Sequence, residues 1–238
     1  MLFRSRDWTR RLFLDPGHGT TALMFLATTP RELGDYVVMY DELYLHQCTP
    51  DQCAALAEPK IKGFRFYSFT IDYRYGRQHH VGNDGLTVRD IYADAFKARG
   101  LSSVTTGHTF QFSNDDVPAG LTAFRGWLIP RSNGRPRLRV IKHQCPNFVT
   151  EIQLYRKQLV KDEASDKPAS GQKDHLMDDA RYAALDGCAY VAVPDDGSIR
   201  PVSIRIVVVF PAPLAPISVT ICPRLTSKET PVIASTAP

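Results

Sequence analysis

The sequence predicts an α/β domain, and three observations predict it. Three strand-like segments follow one another within the first 45 residues, helical and strand-like segments alternate after them, and the pattern stops near Val193, where a proline-rich stretch begins. The expected layout is one sheet domain over residues 1–193, followed by an irregular tail over 194–238 that is partly ordered or stands outside the domain.

Arg11 to Leu14 is the first strand, and it runs into the glycine-rich turn Asp15-Pro16-Gly17-His18-Gly19-Thr20. Ala22 to Thr28 reads as a second, buried strand. Asp35 to Leu45, rich in β-branched and aromatic residues, reads as a third. Gly34 supplies the turn between them, so these strands should be consecutive and antiparallel. Thr49-Pro50-Asp51 places a capping hydroxyl before a proline at the first helical position, starting a helix through about Ala57. Phe64 to Ile71 is the next strand and delivers Asp72 at its end. Val88 to Arg99 sets Ile91, Ala95 and Phe96 on one helical face, and Gly100 ends it. After a loop at Asp115 to Ala119, a helix covers Gly120 to Leu128, and Arg137 to Ile141 forms a short strand. Asn147 to Leu159 carries Phe148, Ile152, Tyr155 and Leu159 on one helical stripe. Lys161 to Gly171 reads as a polar loop, and a last helix spans Asp174 to Leu185.

Composition narrows the function classes. Apolar residues make up 43% of the chain and charged residues 23%, the balance of a soluble globular protein. The net charge of +4 is compatible with a polyanionic partner, though scattered basic residues also simply solvate a surface. No signal peptide opens the chain, and the longest apolar stretch, Ile204 to Ile217, holds three prolines and is too short to span a bilayer. The five cysteines show no regular spacing, so a cytoplasmic protein with reduced thiols is expected, with no membrane partner.

The chemistry concentrates in acids. Asp15 ends one strand and Asp72 another, and Lys173 to Tyr182 (KDHLMDDARY) opens a helix with Asp174, His175, Asp178 and Asp179. Spacings of three and four residues put Asp174, His175 and Asp178 on neighbouring positions of one helical surface. Carboxylates gathered in this way repel one another unless a cation joins them. Mg²⁺ or Mn²⁺ would suit such oxygen donors, and two ions about 3.5–4 Å apart could activate a water and stabilise a leaving oxygen. Taken singly each signal has a plainer explanation: Asp-Pro-Gly is a common turn, Asp72 could be a strand-ending Asx turn, and acids at a helix start complement its dipole.

Their order resembles a known family. Asp174-His175-Leu176-Met177-Asp178-Asp179-Ala180-Arg181-Tyr182 is similar to the Asp-His-x-x-Asp-Ala-x-Arg-Tyr signature of phage large-terminase nuclease domains, with Asp179 standing where alanine is usual. The strand Leu12 to Leu14 into Asp15-Pro16-Gly17 resembles the family's first acidic motif. Tyr40-Asp41-Glu42 resembles the Asp-Glu-aromatic end of its next strand, Asp72 falls at the second catalytic acid, and Cys145-Pro146 leading into Glu151 and Tyr155 resembles the helix before the last motif. The resemblance covers about residues 11 to 190. It implies an RNase H-like fold, a mixed five-stranded sheet with its first three strands antiparallel and helices on both faces. It further implies a two-metal endonuclease that cuts concatemeric viral double-stranded DNA during packaging, with Asp15 and Asp72 as metal ligands and a third ligand from Asp174, His175 or Asp178. A separate ATPase chain, a small terminase subunit and a portal are implied partners, because no G-x-x-x-x-G-K-[ST] motif occurs here. A non-catalytic DNA-binding remnant of a prophage terminase is the alternative, and another RNase H-like nuclease such as a junction resolvase would present a similar acid cluster.

Around these acids, Arg74, Arg77 and His79 follow Asp72, and Lys173 precedes the last motif. All four could contact DNA phosphates or simply line solvated loops. Arg181 and Tyr182 read as anchors of the last helix. A zinc site would need His46, Cys48 and Cys53 to meet His143 and Cys145 in space, since no paired C-x-x-C spacing supports it.

Overall fold

The computed structural model describes residues 7–17, 19–79, 85–160, 163–169 and 171–192. The 194–238 segment and His18 lie outside the described residues. Strands β1 (Thr9–Pro16), β2 (Thr20–Thr28) and β3 (Val37–His46) form an antiparallel meander. Gly34 turns β2 into β3 at φ 104°, a left-handed conformation that glycine adopts without a Cβ clash. Helix α1 (Pro50–Ile61) crosses to β4 (Phe66–Ile71), which pairs parallel to β1. Thr49 caps α1 through a reciprocal box with Gln52, and the helix runs four residues beyond its expected end, past Pro59. A short helix α2 (Tyr73–Gly76) follows, then α3 (Val88–Ala98), whose own box joins Thr87 and Asp90.

The sheet holds six strands in the order β5-β4-β1-β2-β3-β6, one more than expected. The addition is β5, only Gln111–Phe112, which pairs parallel to β4 and is tied on by Ser113 N–H to the Ile71 carbonyl at 2.8 Å. So short a strand has no periodicity to read; the edge of β4 creates it. On the opposite edge, β6 (Leu138–Val140) pairs parallel to β3. Helix α4 (Val117–Leu128) starts three residues earlier than expected, because Asp116 caps it and Pro118 suits its first turn.

Two further expectations fail after residue 146. Helix α5 is Pro146–Leu154 and stops there, with Tyr155 extended at ψ 123°. The segment expected to extend that helix and then form a loop is instead an antiparallel hairpin of β7 (Lys157–Val160) and β8 (Glu163–Pro168). A helical stripe through Tyr155 and Leu159 is a weak prior, and strand pairing overrides it. Helix α6 (His175–Asp186) closes the domain and ends on a left-handed Gly187.

Alternation along the strands gives each face of the sheet a core. Leu12, Leu14, Leu23 and Phe25 face α1 and α3, burying Ala54, Ala57 and Phe96 among others. Phe13, Ala22, Met24 and Leu26 face the other way, onto Phe124 of α4, Phe148 of α5 and Leu176, Ala180 and Ala183 of α6. Each such buried Leu or Phe contributes roughly 1.5–3 kcal/mol. Side chains of one strand alternate between faces, so Arg11 and Asp15 share the α6 face with Phe13. Helix α6 therefore lies antiparallel along β1, its start at Asp15 and its end, Asp186, 3.3 Å from Arg11.

Candidate active site

Asp15 and Asp72 stand side by side because their strands do. β1 and β4 are parallel neighbours, and the Asp72 N–H donates to the Leu14 carbonyl at 2.9 Å, so both acids emerge at the same end of the sheet. Ile71 packs into the α1/α3 core, which turns the next residue toward α6. Gly17 folds the chain back tightly after Asp15: a Cβ there would sit 2.3 Å from the Thr20 carbonyl oxygen and 3.4 Å from the His175 ring.

Helix α6 meets both acids. His175 Nδ1 lies 2.6 Å from Asp15 Oδ2, and the Tyr182 hydroxyl donates to Asp72 Oδ2 at 2.5 Å. The other Asp72 oxygen accepts from Tyr75 N–H at 2.6 Å and caps α2. His175 and Tyr182 are two helical turns apart and share a face, with Asp178 and Asp179 between them. Asp178 accepts from Arg181 at 2.6 and 3.1 Å. Asp174 sits at the N-cap position of α6 without capping it, 3.4 Å from the Gln172 amide nitrogen. Of the expected residues, the fold thus joins Asp15 directly to His175 and sets Asp72, Asp174 and Asp178 around them.

The other expected site residues are exposed. Arg74 is exposed and pairs with Asp115 at 2.7 Å, Arg77 donates to the Tyr73 hydroxyl, and His79 Nδ1 is 3.0 Å from the Gly85 carbonyl oxygen. Lys173 is exposed just before α6. Arg181 and Tyr182 do more than anchor the helix, since each holds one of the acids. The zinc reading fails: Cys53 lies in the core under α1 and Cys145 in the core under α5, on opposite faces of the sheet. The described cysteines are free.

Three buried carboxyls escaped notice as parts of the site. Asp179 has 0% exposure, and neither of its oxygens has a hydrogen-bond partner among the described residues. Glu151 receives the Leu176 and Met177 amides, and Glu42 receives those of Asn147 and Phe148. The face shared by residues 175, 179 and 182 was readable from helical period; the two glutamates act across elements, where period is silent.

The electrostatics follow from burial. Desolvation raises the pKa of Asp15, opposed by the His175 hydrogen bond, with Asp178 and Asp72 adding repulsion. Desolvation and then Asp178 push Asp174 up to about 6, and desolvation pushes Glu151 to about 7. Burial, with Asp15, Asp178 and Asp72 close enough to repel it, holds Asp179 well above the usual carboxylate range. His175 is raised too, chiefly by its bond to Asp15. Every one of these shifts makes the folded state bind protons more tightly than the unfolded chain. Their stabilisation is present at low pH and is lost as pH rises through the folded values. In EDTA the melting temperature should fall between pH 5 and 8 as Asp174 and Glu151 ionise; a flat or rising profile would contradict this account.

Against solved structures, the nuclease domain of the P22 large terminase matches with a TM-score of 0.55 at 18% identity, over 78% of this chain and 84% of that one. The large-terminase nuclease domain of bacteriophage SPP1, solved with bound Mn, matches at 0.50 and 17% identity, over 78% and 89%. The chain has the large-terminase nuclease fold. No family model matches it, and no curated protein does. The terminase nuclease fold is RNase H-like, and the antiparallel meander with β4 added parallel to β1 is its framework here. No helix among the described residues is long and apolar enough to cross a membrane.

Proposed function

We propose that this chain is a Mg²⁺- or Mn²⁺-dependent endodeoxyribonuclease that cuts double-stranded DNA as terminase nucleases do during packaging, in the cytoplasm of a bacterial host. The observation that carries the reading is the meeting of Asp15 and Asp72 at one sheet end under α6, with His175 2.6 Å from the first and Tyr182 2.5 Å from the second. The donor set fits a hard divalent cation: it is rich in carboxylate oxygens, and a cation there would favour ionisation of the buried, unpartnered Asp179, which burial otherwise disfavours. The Mn in the SPP1 domain supports the same choice of metal.

Asp15 and Asp72 would hold the metal, with a third ligand from Asp174, His175 or Asp178. When bound, such ions lower the pKa of an attacking water and stabilise the leaving oxygen of a phosphodiester. Tyr182 orients the Asp72 carboxylate, and Arg181 steers Asp178. Lys173, Arg74, Arg77 and His79 would receive the DNA backbone. Translocation of DNA would be the work of a P-loop ATPase, with a small terminase subunit and a portal as further partners.

One observation favours a second reading, a non-catalytic DNA-binding or packaging remnant. Asp15, Asp72 and Asp178 are each engaged by a protein partner, and among the described residues no three His, Cys, Asp or Glu side chains converge closely enough to hold one ion. Incubation of supercoiled plasmid with Mn²⁺ and with EDTA separates the two. The nuclease reading expects nicking in Mn²⁺ alone; retention of DNA without nicking in either condition supports the remnant and overturns it.

A further inference from the structure

We propose that Glu151 is a positioning residue that sets α6, and with it His175 and Asp178, against Asp15 and Asp72, and that Glu42 sets Glu151 in turn. This rests on the nuclease reading for its consequence but not for its geometry.

Helices α1, α3 and α4 are capped by their own N-cap side chains, Thr49, Thr87 and Asp116. Helices α5 and α6 are not: Cys145 and Asp174 occupy those positions and make no capping bond. The amides at the start of α6 go instead to α5, where Glu151 Oε2 accepts from Leu176 at 2.8 Å and from Met177 at 3.0 Å. The amides at the start of α5 go to the sheet, where Glu42 Oε1 accepts from Asn147 at 2.7 Å and Oε2 accepts from Phe148 at 3.0 Å. The Asn147 side-chain amide adds a bond of 2.8 Å to Glu42 Oε1. Both glutamates are buried, at 4% and 7% exposure.

A local cap orders a helix relative to the chain just before it. A cap from another element orders it relative to that element, and a carboxylate at a helix N-terminus also complements the macrodipole. The start of α6 is therefore located from β3 through α5. The same strand touches the destination directly, because the Tyr44 ring packs edge-on to His175 with centroids 6.0 Å apart. Glu42 and Tyr44 face this side only because β3 carries a bulge. Phe25 pairs with Asp41 and Leu26 with Met39, leaving Tyr40 as an extra residue that reverses the alternation beyond it. With Asp174 offering no cap, Glu151 takes the amides of the first turn of α6 and sets the backbone from which His175 reaches Asp15. Tyr182 holds the second half independently through Asp72.

The test compares the wild type with Glu151→Gln and Glu151→Ala. Hydrogen exchange of the Leu176 and Met177 amides is measured in EDTA, and Mn²⁺ affinity is measured by electron paramagnetic resonance, with circular dichroism as the check on folding. In the alanine variant those two amides should exchange faster while the Tyr182 half of the helix stays protected. Mn²⁺ affinity should fall roughly 10- to 100-fold, the usual loss when a partner of a metal ligand is removed. Glutamine, which keeps one acceptor oxygen, should recover part of both. Unchanged amide protection in both variants overturns the inference, and so does faster exchange with unaltered Mn²⁺ affinity, which would make Glu151 structural only. If the alanine variant does not fold, the glutamine variant alone decides between these outcomes. A wild type that binds no Mn²⁺ overturns the nuclease reading and the metal role of Glu151 together, whereas loss of affinity confined to the variants upholds both.

Discussion

Replacing Asp15 or Asp72 with asparagine should abolish Mn²⁺-dependent nicking while leaving the fold in place. Asparagine keeps the shape of the side chain and an acceptor oxygen, so Asn at 72 can still cap α2 at the Tyr75 amide and still accept from Tyr182. What it removes is the charge that a hard cation requires. Removing a side chain that only holds a metal ligand in place costs roughly 10- to 100-fold, so loss of a ligand itself should exceed about a hundredfold. Instability cannot be the cause of the loss. Asp15 is buried with Asp72 and Asp178 close enough to raise its pKa, so neutralising it relieves repulsion, and in EDTA the variant should melt no lower than the wild type at neutral pH. Initial rates of plasmid nicking, paired with melting curves on the same preparations, decide the matter. Wild-type nicking by both variants would remove these acids from the mechanism.

Asp179→Ala should make the metal-free protein more stable, against the usual direction for a change in a core. The residue lies on the face of α6 between His175 and Tyr182, with no exposure, no hydrogen bond among the described residues, and the charges of Asp15, Asp178, Asp72 and Glu151 near enough to raise its pKa. A buried polar group without a partner costs about 1–3 kcal/mol, more if it is charged. The hole left by its carboxyl atoms costs only about 1 kcal/mol in return. The balance favours alanine, the residue usual at this place in the signature that the segment resembles. For a chain of this size each kcal/mol moves the melting temperature by roughly 2–4 °C. The gain should be larger at pH 8 than at pH 5, because a carboxyl with a raised pKa is neutral, and so cheaper to bury, at the lower pH. Calorimetry in EDTA at the two pH values measures this; an unchanged or lower melting temperature for the variant at pH 8 would mean that Asp179 has a partner.

Asp15 and Asp72 were legible as candidates because both stand where a β-prone run ends, and strand ends on one side of a sheet are where side chains from distant segments meet. The acidic run of α6 was legible because a helix repeats every 3.6 residues, which groups 174, 175 and 178 without knowledge of the rest of the fold. The same rule placed Arg181 and Tyr182 on the helix but could not say what they would touch. The segment from Lys157 to Pro168 was misread because a hairpin there depends on two short polar strands finding each other, a preference that neither holds alone.

Local order, then, came from the sequence by itself: the β1–β3 meander, β4 ending in Asp72, the capped start of α1, and the helical grouping of the last acids all follow from propensity, capping and periodicity within a few residues. Tertiary structure alone decided which groups meet. The parallel register of β1 and β4 sets Asp15 beside Asp72, the bulge at Tyr40 turns Glu42 and Tyr44 toward α5 and α6, and the packing of α6 on β1 buries Asp179 without a partner. The physical reason is common to all three. Each depends on hydrogen bonds or contacts between residues far apart in the chain, and a one-residue change in register reverses the face on which a strand side chain lies.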